Sequence, residues 1–256
     1  MTGLGHTALW SRDMRRVLYL LCFVLAAVSL PAYDFPAPGG KITASFGSEL
    51  NGDFNTGIDI QAGNVFASES GEVLYFGSDY IAIAHEDSII TLYSNVSATE
   101  AVSRDIHIKK GQLIGKAEGG VFHFAVYDLE MERYINPLLM TDNIKKSELP
   151  KVRGLSYDAD QNLLSVQISD RGLLGLYRVQ ISVGGQVVST LGFRTLHRKG
   201  ETLVLDSESF TYGTLYGRQG AFSFSGIHLN PGSNDIDVIV TDFYGKKVEF
   251  HGRITV

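Results

Sequence analysis

Hydrophobic and polar residues alternate along this chain in short runs, and no helical period of any length interrupts them. Runs such as Gly71 to Phe76, Ile89 to Tyr93 and Val121 to Tyr127 are rich in valine, isoleucine and aromatic residues and lie between turn residues. β-branched and aromatic residues in runs of this length are typical of β-strands. The pattern predicts an all-β protein whose first part is a compact, mostly antiparallel β-sheet domain.

A polar segment from Thr141 to Lys151 divides the chain, and we place a domain boundary there. About eight further strands are predicted after it in about 105 residues, which is the density of a β-sandwich. Gly184-Gly185, Lys199-Gly200 and Tyr244-Gly245 are predicted turns between these strands. The predicted domains are therefore residues 33–142 and residues 151–256.

The end of the chain has a characteristic hairpin pattern. Asn230-Pro231-Gly232 precedes the strand-like run Val238 to Asp242, and Tyr244-Gly245 follows. Residues 229–256 resemble the last hairpin of bacterial immunoglobulin-like domains. The resemblance implies an immunoglobulin-like β-sandwich for residues 151–256, and no catalytic set of residues is evident in this part.

The N-terminus has the pattern of an export signal. Arg15-Arg16 precede an apolar run from Val17 to Leu30, which ends at Pro31-Ala32. This order predicts a secretory signal peptide over residues 1–32, cleaved after Ala32, with an uncleaved anchor as the alternative. The expected location is periplasmic or secreted, with no membrane span after the leader is removed. Cys22 is the only cysteine, so the mature chain would have no disulfide and no thiolate metal site.

The charge of the chain excludes some classes of partner. The net charge is −6, and the predicted leader contains three arginines and one aspartate, so the mature chain would carry −8. No basic tract is present that would bind a nucleic acid backbone. An acidic surface favours solubility and disfavours anionic partners.

Short motifs in the first part occur in a family-specific order. They are Phe46-Gly47, Thr56-Gly57-Ile58-Asp59-Ile60, Val65-Phe66-Ala67, Gly71-Glu72-Val73, Ile83-Ala84-His85, Thr91-Leu92-Tyr93, Lys110 to Gly115, His123-Phe124 and Asn136-Pro137. Together these motifs resemble the lysostaphin-like, LytM-type metallopeptidases over about residues 39–140. The resemblance implies a LytM/lysostaphin-like antiparallel β-sheet domain, whose active relatives cleave peptidoglycan cross-links with one zinc ion.

This chain departs from the family pattern at three positions. The resemblance implies His-x-x-x-Asp for the first two zinc ligands, and the chain has Asn55 and Asp59 there. It implies a histidine two residues after Tyr93, where Asn95 stands. It implies a closing His-x-His, with the first histidine catalytic and the second a ligand. Val121 and His123 occupy those two places.

Two surviving ligands are too few for catalysis by zinc. A catalytic zinc takes three protein ligands and keeps one position for water, whereas Asp59 and His123 supply two. We therefore expect no catalytic residues and no cofactor, with Asp59 and His123 as metal ligands only if any metal binds. In a purely structural interpretation, Asp59 caps a turn and His123 is a hydrogen-bonded core residue.

The sequence leads to one functional hypothesis and two alternatives. We expect an exported, non-catalytic relative of the peptidases, a pseudoenzyme that binds peptidoglycan or regulates a cell-wall hydrolase. The vestigial groove contains Asn55, Asp59, Asn95, Val121 and His123, and all of these except Val121 would form hydrogen bonds to the ligand. The first alternative is an active zinc endopeptidase in which His85 or His107 replaces a missing ligand. The second is a structural scaffold of the envelope.

Overall fold

The structure, a computed structural model, describes residues 33–141, 151–168, 176–205, 210–217 and 221–256. The predicted leader with Cys22 and nearly all of the predicted boundary segment lie outside the described residues. Over the described ranges, none of the helices has the length and apolarity needed to cross a membrane.

Strands dominate the described parts of the chain. They are β1 (Lys41–Ala44), β2 (Glu49–Leu50), β3 (Asp53–Phe54), β4 (Ile58–Gln61), β5 (Asn64–Phe66), β6 (Gly71–Phe76), β7 (Tyr80–Ala84), β8 (Ile89–Ser94), β9 (Val96–Ala98), β10 (His107–Ile108), β11 (Leu113–Ala117), β12 (Val121–Asp128), β13 (Arg133–Ile135), β14 (Val152–Asp158), β15 (Leu163–Ile168), β16 (Leu176–Val183), β17 (Gln186–Gly192), β18 (Thr195–Lys199), β19 (Thr202–Leu205), β20 (Phe210–Thr211), β21 (Ala221–Ser225), β22 (Ser233–Asp242) and β23 (Lys247–Thr255).

Helices are few and short. Three 3₁₀ turns occur at Glu86–Ser88, Glu118–Gly120 and Pro137–Leu139. One α-helical turn, α1, spans Tyr212–Leu215, and the Thr211 side chain caps it. The predicted all-β class and antiparallel strand pairing are confirmed.

The largest sheet has one face in the core and one open face. Within the described residues it contains eleven strands, in the order β10-β6-β7-β8-β12-β13-β18-β19-β20, with β4 also paired to β12 and β1 paired to β4. Ile58, Ile60, Phe122 and Phe124 of the central strands are 0% exposed. Residues that alternate with them, such as Asp59, project from the opposite face because the side-chain period of a strand is two.

The later part of the chain forms two smaller antiparallel sheets. One has the strand order β14-β15-β21, and the other has the order β17-β16-β22-β23. Apolar residues of both sheets, including Val166, Phe224, Ile181 and Val238, belong to one buried cluster. Two antiparallel sheets around a shared core are the architecture of a β-sandwich. The immunoglobulin-like assignment itself stays a prediction.

The largest sheet continues across the predicted domain boundary. β13 pairs with β18, and Tyr134 lies opposite Leu196. The buried Asn136 strengthens this junction, because its side-chain amide donates to the Phe193 carbonyl at 2.8 Å and its backbone N–H donates to the Arg194 carbonyl at 2.8 Å. Strands β18 to β20 thus belong to the sheet of the first part. The division into domains 33–142 and 151–256 stays a prediction.

Candidate functional site

Asp59 and His123, the two ligand positions that the chain retains, face each other on neighbouring strands. β4 and β12 run antiparallel, and their register places Asp59 directly opposite His123. Directly opposed residues share one face of a sheet, with side chains close enough to interact. The Asp59 carboxylate oxygen Oδ1 lies 2.8 Å from His123 Nδ1. Both side chains remain about one-fifth exposed, at 22% and 20%, so solvent reaches the pair.

The second ring nitrogen of His123 also has a neighbour. His123 Nε2 lies 3.4 Å from the Thr56 hydroxyl oxygen. The imidazole therefore bridges a carboxylate and a hydroxyl. Sequence reasoning missed Thr56, although it is part of the run Thr56 to Ile60 that marked the site. The three side chains can donate and accept hydrogen bonds at the open face.

Asn55 does not join this group. It is 0% exposed, and its side-chain oxygen accepts a hydrogen bond from the Gly57 backbone N–H at 3.0 Å. Its backbone is also fixed, since its N–H donates to the Ser48 carbonyl and its carbonyl accepts from the Gly47 N–H, both at 2.8 Å. The Asn55 oxygen is therefore occupied in a turn and does not supply a third ligand.

The other two replaced positions lie at the same end of the sheet. Val121 is in β12, two residues before His123 and on the same face, opposite Gln61. Asn95 occupies the bend after β8, exposed and with a left-handed φ of 60°. Ser94, just before it, lies directly opposite His123. The valine offers no polar atom, and asparagine is a neutral ligand, weaker than imidazole for zinc.

Gly57 allows two segments of the chain to pack closely. Its place between positions 55 and 59 suggests another role, a bend that would bring those two side chains together, and glycine permits such a bend. In the structure, a Cβ at Gly57 would lie 2.1 Å from the Phe124 carbonyl oxygen and 2.9 Å from the Ala125 Cα. The glycine thus allows β12 to approach the chain closely, which brings His123 against Asp59.

The residues present do not fit the zinc ion that the family resemblance implies. Asp59 and His123 are in direct hydrogen-bond contact, and the Asn55 oxygen is turned toward Gly57. Among the residues that the structure describes, no group of three His, Cys, Asp or Glu side chains could hold a metal ion. A catalytic zinc requires three such ligands.

The two proposed stand-in histidines lie elsewhere. His85 follows β7, and both of its ring nitrogens are engaged, with the Ser70 carbonyl at 2.8 Å and the Thr91 hydroxyl at 2.7 Å. Burial lowers the pKa of His85, although the Ser70 carbonyl and Glu69 act in the opposite direction. His107 lies on β10 at the far edge of the sheet, where it pairs with Glu72. Neither histidine reaches Asp59.

The fold and site define an all-β, peptidase-like domain with a reduced set of ligands. A family model described as peptidase family M23 matches residues 53–137. Residues 53–137 are therefore similar to the M23 family, which confirms the resemblance seen in the motifs. A second family model, whose description names no function, matches residues 155–256.

Solved structures show partial likenesses. The SpoIIQ-SpoIIIAH pore-forming complex has a chain that is 22% identical, with 44% of this chain and 93% of that chain covered at a TM-score of 0.38. A variant catalytic domain of the prophage-encoded M23 protein EnpA from Enterococcus faecalis is 20% identical, with 41% and 95% covered at 0.34. The deep-sea M23 metalloprotease pseudoalterin is 16% identical, with 65% and 98% covered at 0.33. No curated protein matches the chain.

Proposed function

We propose that this chain is an exported, non-catalytic M23-type protein that binds peptidoglycan in the bacterial cell envelope. The observation that carries the proposal is the direct contact between Asp59 Oδ1 and His123 Nδ1 at 2.8 Å, beside an Asn55 that is turned inward. A carboxylate and an imidazole paired in this way still offer hydrogen bonds to a ligand at an accessible face. They lack the third ligand that would hold a zinc-bound water.

Metal content and turnover test the non-catalytic part of the proposal. The purified protein should hold much less than one zinc per chain, with no gain after incubation with excess zinc and no release of cross-linked peptides from peptidoglycan. Mass spectrometry of the metal and chromatography of the digest measure these quantities. A full equivalent of zinc together with cleavage of cross-links would establish the enzyme alternative instead.

A gain of metal binding provides the sharper control. Asn55→His supplies the donor set His, Asp, His at positions 55, 59 and 123, so this variant should bind zinc without hydrolysing peptidoglycan. Turnover should also require Asn95→His and Val121→His, because those groups would steer water and stabilise charge. Asn55→His combined with His123→Ala should lose the metal again. A melting curve for each variant separates a failed site from a failed fold.

Binding is tested on isolated peptidoglycan sacculi. The whole protein should sediment with sacculi, and Asp59→Ala combined with His123→Ala should sediment less. A protein that stays in the supernatant at all concentrations would overturn the peptidoglycan part of the proposal and leave the hydrolase partner and the structural scaffold.

A cell-wall hydrolase is the second candidate partner, and one observation favours it. Leu74, Phe76 and Ile106 are 40%, 40% and 41% exposed at one edge of the large sheet. β10 pairs only with Gly71 and Glu72 of β6, so β10 does not cover the edge of β6 after Glu72. Exposed apolar residues at a sheet edge are a common protein interaction surface. Leu74→Asp with Phe76→Asp should abolish activation of a hydrolase while leaving sedimentation with sacculi intact.

A further inference from the structure

Four tyrosines lie on the same sheet face as the Asp59–His123 pair. Strand register places Tyr80 opposite Ser94, which is itself opposite His123. Tyr75 lies opposite Ala82, which is two residues after Tyr80 and therefore on the same face. Tyr127 is four residues after His123, so it shares the face of His123, and it lies opposite Tyr134. We call Tyr75, Tyr80, Tyr127 and Tyr134 the tyrosine face. It spans strands β6, β7, β12 and β13 on the open side of the sheet.

The rings of the tyrosine face are in contact in two pairs. The ring centroids of Tyr75 and Tyr80 are 5.9 Å apart, and those of Tyr127 and Tyr134 are 5.0 Å apart. Burial, followed by an electrostatic contribution from Tyr134, raises the pKa of Tyr80. The phenol of Tyr80 is therefore a neutral hydrogen-bond donor at neutral pH, and the two ring pairs lie on one sheet face.

The floor beneath the rings is small and apolar. Ala82 of β7 lies opposite Leu92 of β8, and Leu92 lies opposite Ala125 of β12. Ala82 is 6% and Ala125 is 1% exposed although both are on the open face, so the neighbouring side chains cover them. Tyr75 is 57% exposed and the other three tyrosines are partly exposed. The result is a shallow aromatic surface that ends at the polar Asp59, His123 and Thr56.

The chemistry of this surface selects a neutral, hydroxyl-rich ligand. A tyrosine combines a large apolar ring with a hydroxyl that needs a hydrogen-bond partner when it is removed from water. Sugar rings have apolar C–H faces that stack on such rings and equatorial polar groups that satisfy the hydroxyls. No charged residue belongs to the tyrosine face or to its floor, and the whole chain is acidic at −6. The Arg198 cation also acts on Tyr134 electrostatically.

We propose that the tyrosine face binds the glycan strands of peptidoglycan by stacking sugar rings on Tyr75, Tyr80, Tyr127 and Tyr134, while Asp59 and His123 form hydrogen bonds to sugar substituents. This inference rests on the proposed function and specifies which part of the polymer is recognised. It assigns recognition to the glycan and not to the peptide cross-links that the resemblance implies for active relatives.

Three ligands separate the glycan from the peptide. The whole protein is titrated calorimetrically with an N-acetylglucosamine hexamer and with a free stem peptide, and its sedimentation with glycan strands stripped of peptides is measured. The hexamer and the stripped strands should bind, and the stem peptide should not. Tyr75→Ala and Tyr134→Ala should each weaken hexamer binding at least about tenfold, and Tyr75→Phe, which keeps the ring, should weaken it less.

Tyr244→Ala is the matched control. Tyr244 is 55% exposed in the turn between β22 and β23, on another sheet, so its loss should leave hexamer binding unchanged. Binding of the stem peptide without binding of the hexamer, or hexamer binding that ignores Tyr75 and Tyr134, would overturn the inference and leave the proposed function intact. Failure to bind intact sacculi would overturn the proposed function itself.

Discussion

At the scale of single residues, the site could be predicted from the sequence only in part. The motif around Asp59 and His123 implied that the two residues meet, and they do so at 2.8 Å. The inward turn of Asn55 could not be predicted, because it depends on hydrogen bonds to Ser48 and Gly47, which belong to the preceding loop. The contact of Thr56 with His123 was also missed, since a threonine before a glycine is equally typical of an ordinary turn.

His85 provides a prediction about pH. Burial lowers the pKa of His85 below its ordinary value of 6.5, so in mildly acidic solution the unfolded chain binds a proton that the folded chain does not. The free energy of unfolding should therefore fall as the pH drops below about 6.5, until the folded pKa is passed. Urea unfolding of the wild type and of His85→Gln between pH 5 and pH 8 isolates this contribution, and the variant should have the flatter profile.

A histidine elsewhere in the same sheet serves as the reference for this measurement. His107→Gln changes an exposed side chain on β10 and controls for the replacement of a histidine by glutamine as such. If the profile of His85→Gln were as steep as that of the wild type, the loss of stability in acid would come from other groups, such as the carboxylates.

At the scale of elements, the strands could be predicted well and one piece of the sheet could not. Both strands of the last hairpin, β22 and β23, lie within residues 229–256, where the sequence predicts that hairpin, and β22 contains the whole run Val238 to Asp242. β18 was missed because Thr195–Lys199 contains one buried apolar residue, Leu196, among polar ones. Its stability as a strand comes from pairing with β13, which lies far earlier in the chain, and with β19, which directly follows it. Period-two patterning carries no information on such partners.

The close approach of β12 to the residues before β4 leads to a prediction for Gly57. In Gly57→Ala the added Cβ would meet backbone atoms of Phe124 and Ala125, at 2.1 Å and 2.9 Å, which are fixed in the centre of the sheet. Overpacking of this kind costs about 1–3 kcal/mol or more. The melting temperature should fall by several degrees, and the Asp59–His123 contact should lengthen.

Gly63, in the bend between β4 and β5, is the control for this substitution. Gly63 has no heavy atom within 4 Å of an added Cβ, so Gly63→Ala should leave the melting temperature close to that of the wild type. Equal melting temperatures for Gly57→Ala and wild type would mean that β12 can move away without loss, and that the tight strand approach does not stabilise the site.

At the scale of the whole molecule, the two parts of the chain share structure that no local pattern predicts. The Tyr216 hydroxyl donates to the Gly47 carbonyl at 2.9 Å, and the Phe54 ring contacts Tyr212 and Tyr216 with centroids 5.9 Å and 6.0 Å apart. These contacts join α1 to the loop that leads into Asn55. The hydrogen bond between Tyr216 and Gly47 joins residues that are 169 positions apart in the chain. Patterns within a short stretch of sequence cannot predict such a contact.

A fragment ending at residue 150 tests how much the later part contributes. Without β18, the edge of β13 would be open, and Phe54, which is 3% exposed in the whole chain, would lose the rings that cover it. We expect the fragment 33–150 to melt well below the fragment 33–256 and to aggregate through its free edge. Equal stability of the two fragments would mean that the M23-type domain folds independently, and that the strands shared across the boundary add surface without supporting the site.

In the fragment 33–256, Tyr216→Phe keeps the ring but removes the hydrogen bond to the Gly47 carbonyl. The free energy of unfolding should therefore fall by only about 1 kcal/mol.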